Sequence, residues 1–204
     1  MITFSEVFSS ALKFFFLLTP FFVLSMFLAM TSDFPDRDRR MLAHKVAFSA
    51  WLICVILLFF GRWIFAVFGI TINAFRIGGG ALLFLSAVKL VNGAAGEAAK
   101  KVQTNTVDSN IAVVPLAIPV TVGPATTGAL LIIGAEAKTV AEILTTAIGM
   151  TIAFLAVWAL LCGANFLERL LKQTGIVILS KLTGLILAAL ASEMIFVGIR
   201  AFLK

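Results

Sequence analysis

Charge is scarce in this sequence. Of its 204 residues only 13% are Asp, Glu, Lys or Arg, against 61% hydrophobic, and the mean hydropathy is +1.11. A water-soluble domain is roughly half apolar and about a quarter charged, so a separable soluble domain is excluded and the chain belongs in lipid. Cysteine and histidine are scarcer still. Cys54 and Cys162 both fall in apolar runs and His44 stands beside a basic stretch. A disulfide framework and an ordinary zinc site are therefore excluded, and no cofactor is expected. Both cysteines read as small apolar residues. One histidine and no convincing pairing of nucleophile with base argue against an intramembrane enzyme. The 16 basic and 10 acidic residues give a net charge of +6, yet the basic ones lie in short clusters between long apolar stretches. That distribution orients a chain in a bilayer and does not make a nucleic-acid surface.

What is abundant is apolar sequence long enough to span a membrane. About 20 such residues cross the hydrocarbon, and on that criterion the chain reads as an all-α integral membrane protein of six transmembrane helices. The first runs from about Val7 to Met30. Glu6 before Lys13, and no small-residue cleavage site after the apolar run, mark it as a mature span and not a signal peptide. The second covers about Lys45–Phe60 and the third about Ile72–Val91, with an amphipathic bridge, Gly61–Ile70, between them. The stretch NGAAGEAAKKVQTNTVDSN, Asn92–Asn110, reads as a linker. Ile111–Gly134, Val140–Leu161 and about Val177–Leu203 follow, with a second bridge, FLERLLKQTG, Phe166–Gly175. DFPDRDRR, Asp33–Arg40, is expected to be a solvated, orienting loop. Trp51, Trp63 and Trp158 suit interfacial or packing positions, and the 20 phenylalanines chiefly face lipid.

The halves, about residues 1–91 and 111–204, overlay at an offset of roughly 104 to 105 positions within one membrane domain, so that Thr19-Pro20 meets Gly123-Pro124, Arg76 meets Lys181 and Gly79 meets Gly184. Three spans per half is an odd number, so the second copy enters the membrane from the opposite side as an inverted repeat. Chance alignment of apolar sequence is the alternative. Lys and Arg favour the face that carries Arg37, Arg39, Arg40, Lys45, Lys100, Lys101, Arg169, Lys172 and Lys181 over the one with Lys13, Arg62, Arg76, Lys138, Arg200 and Lys204. The first face is expected to be cytoplasmic, with both termini outside a cell inner membrane.

Proline marks the candidate site. In FFFLLTPFFVLS, Thr19-Pro20 is a helix-start signal, a hydroxyl before a residue without N–H, set near mid-membrane beside Ser25. In VVPLAIPVTVGPATTGALL, Pro115, Pro119 and Pro124 with Gly123 interrupt the fourth span, and each proline removes an intrahelical hydrogen bond. The first and fourth helices are expected to be broken, exposing amides at one half-helix start and carbonyls at the other half-helix end. A small zwitterion suits such ends: its carboxylate lies at the N-termini after Pro20 and Pro124, and its ammonium meets carbonyls and the hydroxyls of Thr19, Thr121, Thr126 and Thr127. The alternative is that proline merely kinks the helices and Ser or Thr repairs the backbone. Gly78-Gly79-Gly80 and the matching Gly184 favour close helix packing; Gly79 and Gly184 also remain candidates for ligand contact. Glu193, in AALASEMIFVGIR, is the deepest ionisable group and reads equally as a protonatable coupling residue or a polar helix contact. Lys89 is expected to snorkel to the interface, and Lys13 and Arg200 to behave similarly.

The segment Val113–Leu131, with GGGALLFLSAVKL at Gly78–Leu90 and LTGLILAALASEMIFVGIRAF at Leu182–Phe202, resembles the MarC family of integral membrane proteins over nearly the whole chain. The resemblance implies six helices and, from some members, transport of small neutral amino acids such as alanine and glycine. The chain departs from the family where relatives carry Asn-Pro or Asp-Pro followed by glycine and a second proline, having TPFFVLS instead. Glu193 stands where relatives often have glutamine. Two functions follow as expectations: a secondary transporter with an ion- or proton-coupled midplane site, or a non-transporting assembly or regulatory protein that retains the scaffold. The partners expected are a small solute and the lipid bilayer, with self-association into a homo-oligomer left open.

Overall fold

The computed structural model describes residues 3–31, 34–93 and 122–203. Within them are seven helices and no strand: α1 (Phe4–Leu17), α2 (Pro20–Met30), α3 (Asp36–Phe68), α4 (Ile72–Val91), α5 (Pro124–Glu136), α6 (Val140–Cys162) and α7 (Ala164–Phe202). Their starts follow local chemistry. Thr3 and Glu6 make a reciprocal capping box on α1, with the Thr3 amide donating to Glu6 Oε2 at 3.2 Å. The hydroxyls of Thr71 and Thr139 accept from the Ala74 and Glu142 amides at the heads of α4 and α6, each at 3.2 Å. Among the described residues α3, α4, α6 and α7 are each long and apolar enough to cross a membrane, and α1 with α2, bent by 43° at their junction, is long and apolar enough for a fifth crossing when taken as one span. Six are not counted there, because the opening part of the expected fourth span, with Pro115, Pro119 and Thr121, lies outside the described residues. So does the expected linker beyond Gly93.

Two expectations are corrected. The segment Asp36–Arg40 is the first turn of α3 and no solvated loop, because Pro35 opens the helix in extended backbone and Asp36 and Asp38 suit its positive end. Arg39 is turned inward: its Nε and Nη2 donate to the Thr31 carbonyl at 2.8 and 2.6 Å, and its Nη1 donates to Asn165 Oδ1. The amphipathic stretch after Phe60 is no separate bridge either. α3 runs through Gly61 to Phe68 and stops at Gly69, whose φ of 62° is the left-handed conformation glycine adopts cheaply. The second stretch, Phe166–Gly175, is helical, and as expected of a bridge it is set off from the last span by a kink, at Lys172 (φ 53°, ψ 171°) within α7.

Side-chain contacts between helix ends define two faces. Arg76 at the start of α4 pairs with Glu136 at the end of α5, and Gly198 near the end of α7 lies against the Asn73 carbonyl. The start of α1 shares this face with the start of α6, because Ser5 and Glu6 line one cavity with Thr139 and Glu142. At the opposite face, Arg39 near the start of α3 meets Asn165 at the start of α7, and the His44 ring meets Trp158 near the end of α6 with centroids 5.2 Å apart. α2 and α5 therefore run away from each other, α2 toward the Arg39 face and α5 toward the Arg76 face.

α2 is apolar all round and sits in the middle, with Val23, Leu24 and Phe27 fully buried. Around it the helices approach through small residues, as they must where lipid gives no hydrophobic drive to association. A Cβ on Gly80 would lie 3.1 Å from the Ala191 carbonyl oxygen, and one on Gly184 would lie 3.0 Å from the Ala87 carbonyl oxygen, so α4 and α7 touch twice in the same way. Gly61 against Leu131 and Gly134 against Leu58 make a second reciprocal crossing, of α3 on α5. Large side chains that remain outside, among them Phe48, Phe59, Phe60, Trp63 and Phe196, form an apolar perimeter suited to lipid.

Gly184→Leu should lower the melting temperature in detergent by several degrees, since overpacking at a backbone contact costs about 1–3 kcal/mol. Gly78→Ala, where no heavy atom lies within 4 Å of the added Cβ, should leave it unchanged or raise it slightly. Equal melting of Gly184→Leu and wild type would show that α4 and α7 do not pack on this seam.

Candidate functional site

The site forms where α1 stops. Its last turn tightens, with the Leu18 amide donating to Phe14 at 2.9 Å and the Thr19 amide to Phe16 at 3.0 Å. Thr19 then adopts φ 48° and ψ 56°, a left-handed conformation costly for a β-branched residue. Pro20 begins α2 and has no N–H to give. Regular bonding resumes only at Val23, which donates to the Thr19 carbonyl at 3.0 Å. Two sets of backbone groups are released: carbonyls at the end of α1 and the first-turn amides of Phe21 and Phe22.

α5 supplies the matching piece. It starts at Gly123-Pro124 with no side-chain cap, and its first intrahelical bond is Thr127 N–H to Gly123 at 3.0 Å. The buried Thr126 hydroxyl donates to the Leu17 carbonyl at 3.1 Å, so the first turn of α5 repairs one of the carbonyls freed by the break in α1. Three helix ends thus meet: the carbonyl end of α1 and the amide ends of α2 and α5. The two amide ends carry partial positive charge and the α1 end partial negative charge, with neither requiring an ionised side chain.

Two cavities approach this point as far as Leu17, and neither is lined by Thr19, Pro20, Gly123, Thr126 or Thr127. A cavity of about 740 Å³ descends between α1 and α6 past the hydroxyls of Ser9, Ser10, Thr145 and Thr146 to Lys13 and Leu17. A smaller one of about 240 Å³, between α1, α4, α5 and α7, is lined by Lys13, Leu17, Arg76, Glu136 and Glu193. Both touch Leu17, whose carbonyl is the one Thr126 holds. Arg76 bonds Asn73 Oδ1 at 3.2 Å as well as pairing with Glu136. Glu193 is exposed at the cavity wall, because α7 turns this position toward the opening.

The candidate residues are distributed accordingly. Thr19, Pro20, Gly123, Thr126 and Thr127 gather at the junction, and Pro124 begins α5 there. Gly79 lies where α4 crosses α5, its Cα 3.6 Å from a Cβ built on Gly128. Gly184 is remote from the junction, enclosed by Ala87, Leu90 and Val91 of α4 with no room for a ligand. Pro119 and Thr121 lie outside the described residues. Sequence reasoning missed the Arg76–Glu136 pair and the hydroxyl lining of the larger cavity. The signal for the lining was present, as Ser5, Ser9 and Ser10 recur at helical spacing on α1. Among the described residues no group of three or more His, Cys, Asp or Glu side chains is placed to hold a metal ion.

Comparison with known proteins places these features in a family. The model of the MarC family integral membrane protein matches residues 4–203. The chain is 34% identical to the UPF0056 membrane protein MJ1677 of Methanocaldococcus jannaschii, over 100% of this chain and 97% of that protein. It is 32% identical to the UPF0056 membrane protein YhcE of Escherichia coli, over 90% and 87% respectively. A UPF0056 membrane protein of Aquifex aeolicus is 26% identical over 92% of this chain. No solved structure matches.

The Thr126 hydroxyl gives a direct test of the junction. Thr126→Val keeps the shape but leaves the buried Leu17 carbonyl without its donor, a loss of about 1–3 kcal/mol, and should lower the melting temperature. Thr126→Ser should recover most of it. If valine melts with wild type, α5 does not cap α1.

Proposed function

We propose that this chain, which belongs to the MarC family of integral membrane proteins, is a secondary transporter of small neutral amino acids or similarly small solutes, alternating access around the α1, α2 and α5 junction. The observation that carries the proposal is the Thr126 hydroxyl on the Leu17 carbonyl, which holds the start of α5 against the end of α1 beside the start of α2, with two cavities reaching Leu17. A zwitterion matches that arrangement. Its carboxylate takes the first-turn amides of α2 and α5, and its ammonium takes the α1 carbonyl end with the Thr19 and Thr127 hydroxyls. A long side chain has no such complement, so selection favours small solutes. The chain does no covalent chemistry in this reading and is not an enzyme.

The six-helix inverted repeat supplies the motion. The contacts of Gly80 on Ala191 and Gly184 on Ala87 interchange under an offset of about 104 residues, the offset that also carries Pro20 onto Pro124. Such reciprocity supports two like halves of opposite sense, which can rock about the α4–α7 seam. The cavities open toward the face with the termini, while Arg39 ties α2, α3 and α7 together at the other. That is a conformation open to one side. Positive charge at the Arg39 face supports its being cytoplasmic in a cell inner membrane. In a variant lacking Cys54 and Cys162, a cysteine at Lys138 should react with an impermeant reagent on intact cells and one at Asp38 only after permeabilisation; the reverse pattern would invert this topology.

Glu193, an acid of the last span set at the wall of the smaller cavity, is the coupling residue in this reading. In proteoliposomes, alanine or glycine uptake should saturate and should accumulate against a gradient when a pH difference is imposed. Glu193→Gln should still bind solute but lose that dependence. Transport indifferent to the pH gradient in wild type removes Glu193 from the mechanism. No flux of any small neutral amino acid through folded, reconstituted protein would leave the non-transporting scaffold.

A further inference from the structure

A groove on the perimeter carries a different ligand chemistry. Between α3 and α6, on the Arg39 half of the molecule, lies a cavity of about 450 Å³ lined by His44, Phe48, Trp51, Phe154, Leu155 and Trp158. It has no part in the junction. Trp51 and Trp158 form its two aromatic walls, and each is fixed by a partner: Trp51 Nε1 donates to the Thr151 hydroxyl at 3.1 Å, and the Trp158 ring stands edge-on to His44. The hydroxyl of Thr151 itself donates to the Ala147 carbonyl at 2.8 Å, so the indole and the hydroxyl spend their polar groups within the wall. What remains to face a ligand is hydrocarbon and ring.

Beyond the His44 end of the groove α3 carries two arginines. Arg37, Arg40, His44, Phe48 and Trp51 follow one another on α3 at spacings of three and four residues, a single stripe of the helix. Arg37 and Arg40 are exposed, and Arg40 lies within electrostatic reach of Cys162 at the end of α6, so the cationic end lies over the α3–α6 side. Of the two nearest acids, Asp36 accepts from Asn165 Nδ2 at 2.8 Å and keeps its charge, while Asp38 falls off the stripe, so Arg37 and Arg40 against Asp36 leave an excess of one positive charge there. From His44 to Trp51 the stripe descends about 10 Å along the helix. His44 and Lys45 end the polar part of α3 and an uninterrupted apolar run begins at Val46. The groove therefore runs from the membrane interface into the hydrocarbon.

We propose that this groove binds an anionic phospholipid, with one acyl chain between Trp51 and Trp158 and the phosphate headgroup under Arg37 and Arg40. Charge complementarity selects the occupant: a buried apolar slot alone would take any lipid, but a slot ending beneath two guanidinium groups favours a headgroup with net negative charge. Two guanidinium donors suit phosphate oxygens better than the phosphate–ammonium pair of a zwitterionic lipid, whose own cation would meet the same arginines. The site lies on α3 and α6, the helices that touch α5 and α1, and is independent of whether the junction transports anything.

The tryptophans report occupancy. The full chain, carrying Trp63→Phe to remove the exposed indole at the far end of α3, is reconstituted in vesicles of phosphatidylcholine and phosphatidylglycerol, with bromine on the acyl chains of one lipid or the other. Brominated phosphatidylglycerol should quench Trp51 and Trp158 at a lower mole fraction than brominated phosphatidylcholine, giving a relative binding constant of about fivefold or more for the anionic lipid. Arg37→Gln with Arg40→Gln should bring that ratio close to one while leaving total quenching by phosphatidylcholine unchanged. Leu155→Ala, which widens the groove without touching the charge, should weaken quenching by both lipids and keep the ratio above one. Equal binding constants for the two lipids in the parent, or a preference that survives loss of both arginines, would overturn the proposal.

Discussion

A peptide group inside hydrocarbon has no water to bond, so every interruption of a spanning helix must be answered by protein or by ligand. The break between Leu17 and Pro20 is where this chain meets that constraint. Thr19 in a left-handed conformation and Pro20 without an N–H stop α1 partway along the α1–α2 pair, and the surrounding architecture answers them. α5 starts beside the break and Thr126 gives its proton to the Leu17 carbonyl. α2 is packed mainly inside the bundle, with Phe27, Leu24 and Val23 fully buried. What the protein leaves unanswered, the amides of two half-helix starts, is what a small anion-bearing solute can complete.

The glycine contacts give that junction its frame. α4 and α7 meet backbone to side chain at Gly80 and Gly184, and α3 meets α5 at Gly61 and Gly134. A side chain at any of these positions would push two helices apart by the width of a methyl group or more, and with them the floor of the cavities at Leu17. Close seams of this kind slide or tilt as units, because packed interfaces have discrete arrangements and do not deform continuously. The polar tie at the other face, Arg39 to Thr31 and Asn165, is of a different nature: a few hydrogen bonds between three helix ends that can be exchanged for water.

Much of this was legible in the residues. Ile72–Val91 and Val140–Cys162 are bounded by threonine caps and uniform apolar composition, and both the sequence and the structure end them within a residue of each other. Thr19-Pro20 and Gly123-Pro124 announce helix starts by their chemistry, and helices start there. The limits of α3 were not legible. Asp36–Arg40 is as polar as any loop, and only the cap carbonyl of Thr31 and Asn165 on a distant helix draw Arg39 inward. The bridge beyond Gly61 looked separable because glycine weakens a helix, but Gly61 is where Leu131 crosses, so close approach and not a turn explains it. Gly184 could not be told from Gly79 by pattern alone; one borders α5 and the other is enclosed by α4. The same limit applied to Glu193, since a period of 3.6 residues places it on a face without saying that the face borders a cavity.

The central claim, that two half-helix starts jointly receive the solute, is tested most directly by hydrogen exchange of the full chain in nanodiscs with and without saturating alanine. First-turn amides have no intrahelical acceptor and exchange readily unless a ligand covers them. The account predicts slower exchange on adding alanine in peptides covering Phe21–Val23 and Ala125–Thr127, both together and more than anywhere else in the chain. Unchanged exchange at both segments under saturating alanine, or protection confined to another part of the molecule, would contradict it.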